Sequence, residues 1–393
     1  MNKRITYILT GIMICMACLA GCAKEEAAAT EIMSETIALE SMEPKEETNQ
    51  AEASKKPMVI DDTKQVGVLM PNQSSERWAN DGANMEAKLK ALGYDVILRY
   101  ANDDIELQIS QIKDMIGKGV DCLVVASIDW GSFQEIDELI KDAGIPIIAY
   151  DRLLMDIDSV FYYATFDNKG IGRMIGQYIE ENKKLAKAQA EEQSYTIELF
   201  MGSPDDNNAV MLYQGVMEIL QPYFDDGTLV CKSGNTSFED TCILRYSQET
   251  ARQVCETYLA EYYAEEPLDI VCSAFDGFSY GVIEALEAGG YSIEENWPLV
   301  TGQDAELVAV KNILNGYQTM SVHKDTRVLA DKCVTMVQAV LEGSEPEIND
   351  TEQYNNHMIM VPSYLCTPVV VDIDNYKEVM IDSGYYTEEQ LAE

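Results

Sequence analysis

Positive charge is what this sequence has least of. Against 68 aspartates and glutamates stand 28 lysines and arginines, and the formal net charge over 393 residues is −40. A surface this negative repels phosphate backbones, which excludes nucleic acid as a partner, and anionic lipid is repelled in the same way. It says little about a small ligand, because a deep site makes its own local field. Histidine is nearly absent. His323 and His357 lie far apart, with no cysteine nearby at ligand spacing, so no metal site is expected. No Ser-His-Asp or nucleophile-elbow pattern occurs. The ten cysteines make no disulfide framework either. Cys15, Cys18 and Cys22 belong to the N-terminal leader. The other seven (Cys122, Cys231, Cys242, Cys255, Cys272, Cys333 and Cys366) are dispersed and odd in number, and read as small apolar core residues.

A long apolar run occurs at the N-terminus. Lys3 and Arg4 precede Ile5–Ala20, which is short for a membrane span and ends in small residues, as an export signal does. The end, Leu19-Ala20-Gly21-Cys22, resembles the bacterial lipobox, so residues 1–22 are expected to be a lipoprotein signal with acylation at Cys22, an anchor to the outer face of the cell membrane. An ordinary cleaved signal with a chance cysteine is the blander alternative. Residues 23–57 carry nine Glu, four Lys, many small residues and Pro44 and Pro57, and are expected to form a disordered acidic tether.

From Val59 onward short apolar runs alternate with helical patterns. Strands are expected at Val66–Met70, Val96–Tyr100, Cys122–Ser127, Ile145–Tyr150, Phe161–Phe166, Ile197–Met201, Ile270–Ala274, Leu299–Thr301 and Thr319–Val322. Most are nearly uninterrupted, as in parallel strands buried on both faces. The fold class is therefore α/β with doubly wound parallel sheets, and a body this long suits two lobes. Ligands of such sheets sit beyond the carboxyl ends of the strands. The residues found there are polar: Ser75-Glu76-Arg77-Trp78, Ser127-Ile128-Asp129, Asp151-Arg152, Asp167-Asn168, Gly202 to Asn208, Asp276-Gly277, Gly302-Gln303-Asp304 and His323-Lys324-Asp325.

That ordered set resembles the type I periplasmic sugar-binding proteins, most of all the ChvE-type multiple-sugar receptors and the xylose-binding proteins. The stretches that carry the likeness include SSERWANDG (74–82), AYDRL (149–153), ELFMGSPDDNNA (198–209), TGQDAE (301–306) and KDTR (324–327), and with the rest they span about 300 residues in order. The resemblance implies two doubly wound lobes joined by a three-segment hinge, with residues 58–164 and 303–343 in the N-terminal lobe and 165–302 and 344–393 in the C-terminal lobe. It implies a monomeric extracytoplasmic receptor without a cofactor. Such a receptor captures an aldopyranose of the xylose, arabinose, glucose or galactose class and delivers it to an ABC importer, or also to a sugar sensor or chemoreceptor.

A pyranose offers C–H patches to an aromatic face and hydroxyls to fixed donors and acceptors. By the resemblance, Arg77 donates to sugar oxygens and Trp78 stacks on the ring or closes the pocket; the alternative is a helix start with Trp78 as a core anchor. Asp129, Asp151 and Arg152 are expected as acceptors and donor, or as a structural ion pair. Within the 202–208 turn Asn207 is the favoured contact. Asp276 is expected to accept a hydroxyl, with helix capping as its competing role. Gln303, Asp304, Lys324 and Asn168 complete the set, and Phe238 or Tyr246 supplies a second aromatic face. Gly170-Ile-Gly172-Arg-Met-Ile-Gly176 misses the dinucleotide spacing by one residue and reads as close helix packing. The competing function is an exported carbohydrate-active enzyme using two cleft carboxylates such as Asp151 and Asp276. A sugar-responsive transcription regulator would need a DNA-binding head where this chain has a leader and an acidic tether.

Overall fold

A computed structural model describes residues 63–392. The leader, the tether and the acylation site expected at Cys22 lie outside those residues.

The first lobe reads β1 (Gln65–Met70), α1 (Glu76–Ala91), β2 (Asp95–Tyr100), α2 (Ile105–Lys118), β3 (Cys122–Val125), α3 (Gln134–Ala143), β4 (Ile147–Tyr150) and β5 (Val160–Phe166). Its strands pair in parallel in the order β2-β1-β3-β4-β5. Every residue of β3 (Cys-Leu-Val-Val) and β4 (Ile-Ile-Ala-Tyr) is buried, because helices cover both faces of a parallel sheet. Local chemistry delimits the crossovers. Asp104 caps α2 by accepting the Leu107 N–H at 3.0 Å, and Gly119 ends it at φ 74°. Between them Ile109, Ile112 and Met115 turn inward onto the sheet.

The second lobe runs α4 (Asn168–Lys183), α5 (Leu185–Ala190), β6 (Tyr195–Phe200), α6 (Asn207–Asp225), β7 (Leu229–Val230), α7 (Phe238–Thr241), α8 (Gln248–Tyr262), β8 (Ile270–Ser273), α9 (Asp276–Ala288), β9 (Leu299–Val300), β10 (Gln303–Asp304), α10 (Leu307–Asn315) and β11 (Met320–His323). The chain then returns to the first lobe. There α11 (Thr326–Leu341) packs on α1, and β12 (Ser363–Cys366) adds in parallel beside β5. Finally β13 (Val369–Asp372) crosses back and pairs antiparallel with β11. The second-lobe strands form the orders β7-β6-β8-β9 and β10-β11-β13. Backbone bonds from Thr319 N–H to the Val300 carbonyl (2.8 Å) and from Val322 N–H to the Gly302 carbonyl (3.0 Å) join the two.

Two of the expected lobe boundaries therefore move. Residues 303–323 were expected in the first lobe, yet Gln303 and Asp304 pair with Val322 and His323 in the second-lobe sheet. Residues 344–366 were expected in the second lobe. They stay on the first through β12 and through Asn356, whose Nδ2 donates to the Leu154 and Ile157 carbonyls. The three crossings lie at Phe166–Asp167, His323–Thr326 and Cys366–Val369. The Asp167 N–H donates to the Cys366 carbonyl at 3.3 Å, tying the first crossing to the third.

The glycine-rich start of α4 serves packing. A Cβ on Gly172 would stand 2.0 Å from the Leu212 carbonyl oxygen, and one on Gly215 would stand 2.1 Å from that of Lys169, so α4 and α6 touch backbone to backbone. All seven cysteines of the described residues are free, and five of them are buried.

Candidate functional site

A cavity of about 210 Å³ lies at the carboxyl ends of strands from both lobes. Arg77, Trp78, Asp151, Arg152, Asn168, Gln303, Asp304 and Lys324 line it. Asp129, Asn207 and Asp276 do not.

Arg77 stands one residue into α1, directly beyond β1, and its planar fork is held at three points. Nη2 donates to Asp151 Oδ1 at 2.6 Å, Nη1 to Asp304 Oδ1 at 3.0 Å, and Nε lies 3.5 Å from Asp81 one turn along the helix. Burial opposes the Arg77 charge, but Asp151, Asp304 and Asp81 outweigh it, so its pKa rises well above the ordinary value. Asp304 shows the converse. Burial disfavours its ionised form, yet Lys324, 2.8 Å away, and Arg77 hold it below the usual carboxylate range. Asp81 is fully buried, and that burial raises its pKa to about 7 despite Arg77.

Arg152 makes the second ionic bridge. Its Nε lies 3.3 Å from Asp206 Oδ2 in the other lobe, while Nη1 donates to the Ser127 carbonyl at 3.3 Å. Both guanidiniums lie over the Trp78 ring, their central carbons 5.2 Å (Arg77) and 5.1 Å (Arg152) from its centroid. Arg152 also lies 5.5 Å from the centre of Tyr246. The Tyr246 hydroxyl donates to Asp206 at 2.8 Å. Of the two aromatics left open, Tyr246 lines the cavity, whereas Phe238 packs against Tyr213, outside it.

At the first hinge crossing two asparagines interlock. Asn168 Nδ2 donates to Asn208 Oδ1 at 2.9 Å, and Asn208 Nδ2 donates to the Asp151 carbonyl at 2.6 Å. Gln303 Oε1 is buried without a hydrogen-bond partner among the described residues, on the cavity wall. Several cavity residues adopt left-handed backbone conformations that non-glycine residues rarely hold: Asp151 (φ 59°), Arg245 (58°), Tyr246 (54°) and Asp304 (98°). This clustering of backbone strain makes the cavity the candidate functional site.

Three expected contacts stand elsewhere, each for a local reason. Asp206 caps α6 by accepting the Asn208 N–H at 2.9 Å, which places Asn208 on the inward face and leaves Asn207 off the cavity wall. Asp276 opens α9 one residue after Phe275, and Phe275 takes the place on the cavity wall. The Asp276 carboxylate turns into the sheet. Its Oδ1 accepts from Gln318 and Ser321, each at 2.8 Å, and its Oδ2 accepts from the Glu306 N–H at 3.0 Å. Burial pushes its pKa well above the ordinary value. Asp129 forms a local turn, accepting from Gly131 N–H (3.0 Å) and Ser132 Oγ (2.7 Å). With Asp276 turned away, the pair Asp151 and Asp276, offered as the example for the enzyme alternative, does not share the cavity wall.

Sequence reasoning passed over Asp205, Asp206, Asn208 and Arg245, all on the cavity wall. The first three were in view within the 202–208 turn; Arg245 carried no signal beyond its charge beside Tyr246. Among the described residues no group of His, Cys, Asp and Glu is placed to hold a metal ion.

The profile of the periplasmic binding protein domain matches residues 66–345. This chain belongs to the periplasmic binding protein family. Its fold is the type I form, and its relatives are sugar receptors of that type. The multiple sugar-binding periplasmic receptor ChvE of Rhizobium radiobacter is 43% identical over 327 residues, which cover 83% of this chain and 92% of that protein. The D-xylose-binding periplasmic protein of Escherichia coli is 32% identical over 326 residues, 83% of this chain and 92% of that one. A solved ABC transporter solute-binding protein of Clostridium phytofermentans, with bound β-D-glucose, superposes with a TM-score of 0.80 at 48% identity. That match covers 84% of this chain and all of the other.

Proposed function

We propose that this protein is an extracytoplasmic receptor that captures a neutral aldopyranose, of the glucose or xylose class, between its lobes and delivers it to an ABC importer. One observation carries the reading: donors and acceptors from both lobes face one shared cavity. The first lobe presents Arg77, Asp151 and Arg152, the second presents Asp206, Asn208, Gln303 and Asp304, and Lys324 enters from the crossing between them. Fixed guanidiniums and an ammonium serve hydroxyl oxygens, ionised carboxylates serve hydroxyl protons, and Trp78 and Tyr246 offer apolar faces to ring C–H groups. A ligand held from both sides favours the closed arrangement, because only there does it gain the second set of contacts. The glucose bound in the 48%-identical structure and the xylose named in the Escherichia coli relative support the ligand class.

The same reading places the protein on the outer face of the cell membrane, tethered through acyl chains on Cys22, where a free receptor would otherwise diffuse away. Presentation of the loaded receptor to a sugar sensor is a second use of the same closed shape.

The test is a thermal-shift panel of free pentoses and hexoses, with calorimetry on each hit. At a concentration one hundred times Kd, stabilisation of about 2.7 kcal/mol is expected. Silence across the whole panel would overturn the reading. Metabolic labelling with a radioactive fatty acid tests the anchor: label present on the wild type and lost in Cys22→Ala supports it, and equal labelling of both refutes it.

A further inference from the structure

The receptor reading concerns what the cavity holds; Arg245, where the cavity wall reaches solvent, carries a further device. We infer that Arg245 is a latch that holds the two lobes together from the rim and sets how fast a captured sugar leaves, an inference that rests on the receptor reading for its ligand.

Arg245 sits in the short turn Leu244–Tyr246 of the second lobe, where two successive non-glycine residues take left-handed backbone conformations. Such a turn persists only when its surroundings over-determine it. Here they do. The Arg245 N–H donates to Ser203 Oγ at 2.8 Å, and the Tyr246 ring stacks on Phe278 at 5.9 Å and meets Phe275 edge-on at 5.6 Å. The rigid turn aims the guanidinium across the cleft. Its Nε lies 3.2 Å from Asp205 Oδ2 in its own lobe. Nη1 donates to the Ile128 carbonyl of the first lobe at 2.9 Å, and Nη2 lies 4.0 Å from Asp129 Oδ2. Beside it the Trp130 N–H donates to the Asp205 carbonyl at 3.2 Å. Three successive residues of one lobe thus dock on two positions of the other.

These contacts differ from the bridges inside. The side chains of Arg77 and Arg152 are 9% and 16% exposed, whereas that of Arg245 is 36% exposed. Water therefore screens the latch. Its loss should alter the rate of opening by a modest factor and leave binding possible. Closure made before release must be undone before the sugar can go, so the effect falls on dissociation.

Stopped-flow dissociation of D-glucose and D-xylose from the full-length protein and from Arg245→Ala and Arg245→Lys tests this. Arg245→Ala should speed release about three- to tenfold, by the same factor for both sugars, and about 1 M salt should bring the wild type close to the variant. Arg245→Lys should retain part of the effect. Wild-type release rates in Arg245→Ala, or a factor that differs between the sugars and so marks a direct ligand contact, would overturn the latch. Small-angle scattering without sugar gives an arm free of the ligand: Arg245→Ala should show a larger radius of gyration. If no monosaccharide binds the wild type, the receptor reading fails and scattering alone decides the latch, an unchanged radius overturning it.

Discussion

The two walls of the cleft are built from the same kind of position, the residue just past a strand, yet they carry different chemistry. The first lobe supplies the two guanidiniums held deepest in the cleft: Arg77 at the head of α1 and Arg152 beyond β4. The second supplies most of the carboxylates, with Asp205, Asp206, Asp304 and Glu306 on the cavity wall. Arg77 meets Asp304, and Arg152 meets Asp206, each across the gap. Closing the lobes therefore gives each of these buried charges a further partner across the gap, which offsets part of the several kcal/mol that taking a charge out of water costs. On the proposed function, closure and ligand capture draw on the same side chains. This also explains why a body with so negative a surface keeps four cations, Arg77, Arg152, Arg245 and Lys324, around one cavity.

The comparison breaks most sharply at Arg77. Arg77→Ala removes the cation that Asp151, Asp304 and Asp81 share, and sugar affinity measured by calorimetry should fall about a hundredfold, near 3 kcal/mol. Asp276→Ala is the control for position. Its carboxylate serves the second-lobe sheet, so the substitution should cost about 2 kcal/mol of stability in urea denaturation, while the folded fraction binds sugar with affinity close to that of the wild type. Arg152→Ala and Asp206→Asn should each weaken binding about tenfold, and the double variant should lose less than the two losses combined, because the partners share one bridge.

A further effect is a pH slope, read in stability and not in affinity. Asp81 titrates near 7 in the folded protein against an ordinary value of 3.8. Between about pH 4 and pH 7 the native state thus keeps a proton that the unfolded chain has released. Stability on this account declines as pH rises through that window and levels off above it. Asp81→Asn removes the decline, so its stability advantage over the wild type should grow from pH 4 to pH 7 and then stay constant.

Much of this was legible in the sequence, and the rest was hidden for identifiable reasons. All nine expected strands form, because uninterrupted apolar runs bounded by polar turns have few alternatives in a parallel sheet. The strands that escaped notice, β7, β10, β12 and β13, are two to four residues long and include exposed or half-buried positions, so their pattern is too weak to read. The choice between Asn207 and Asn208 was decidable. Asn208 lies one helical turn before Leu212 and two before Val216, on the buried face of α6, whereas Asn207 lies two turns before the exposed Gln214. Asp276 was not decidable, since a strand-end aspartate looks the same whether its carboxylate faces a ligand or a neighbouring strand. Only the position of Gln318 and Ser321, more than forty residues on, settles it. The lobe boundaries failed for the same reason: strand pairing across long separations leaves no local mark.

The most direct test is to titrate D-glucose and D-xylose by calorimetry into the wild type and into one variant from each wall, Arg152→Ala and Asp206→Asn. One sugar per chain should bind, and each variant should weaken it. Full affinity in either variant would mean that only one wall holds the ligand, and the picture of a sugar gripped between the lobes would be contradicted.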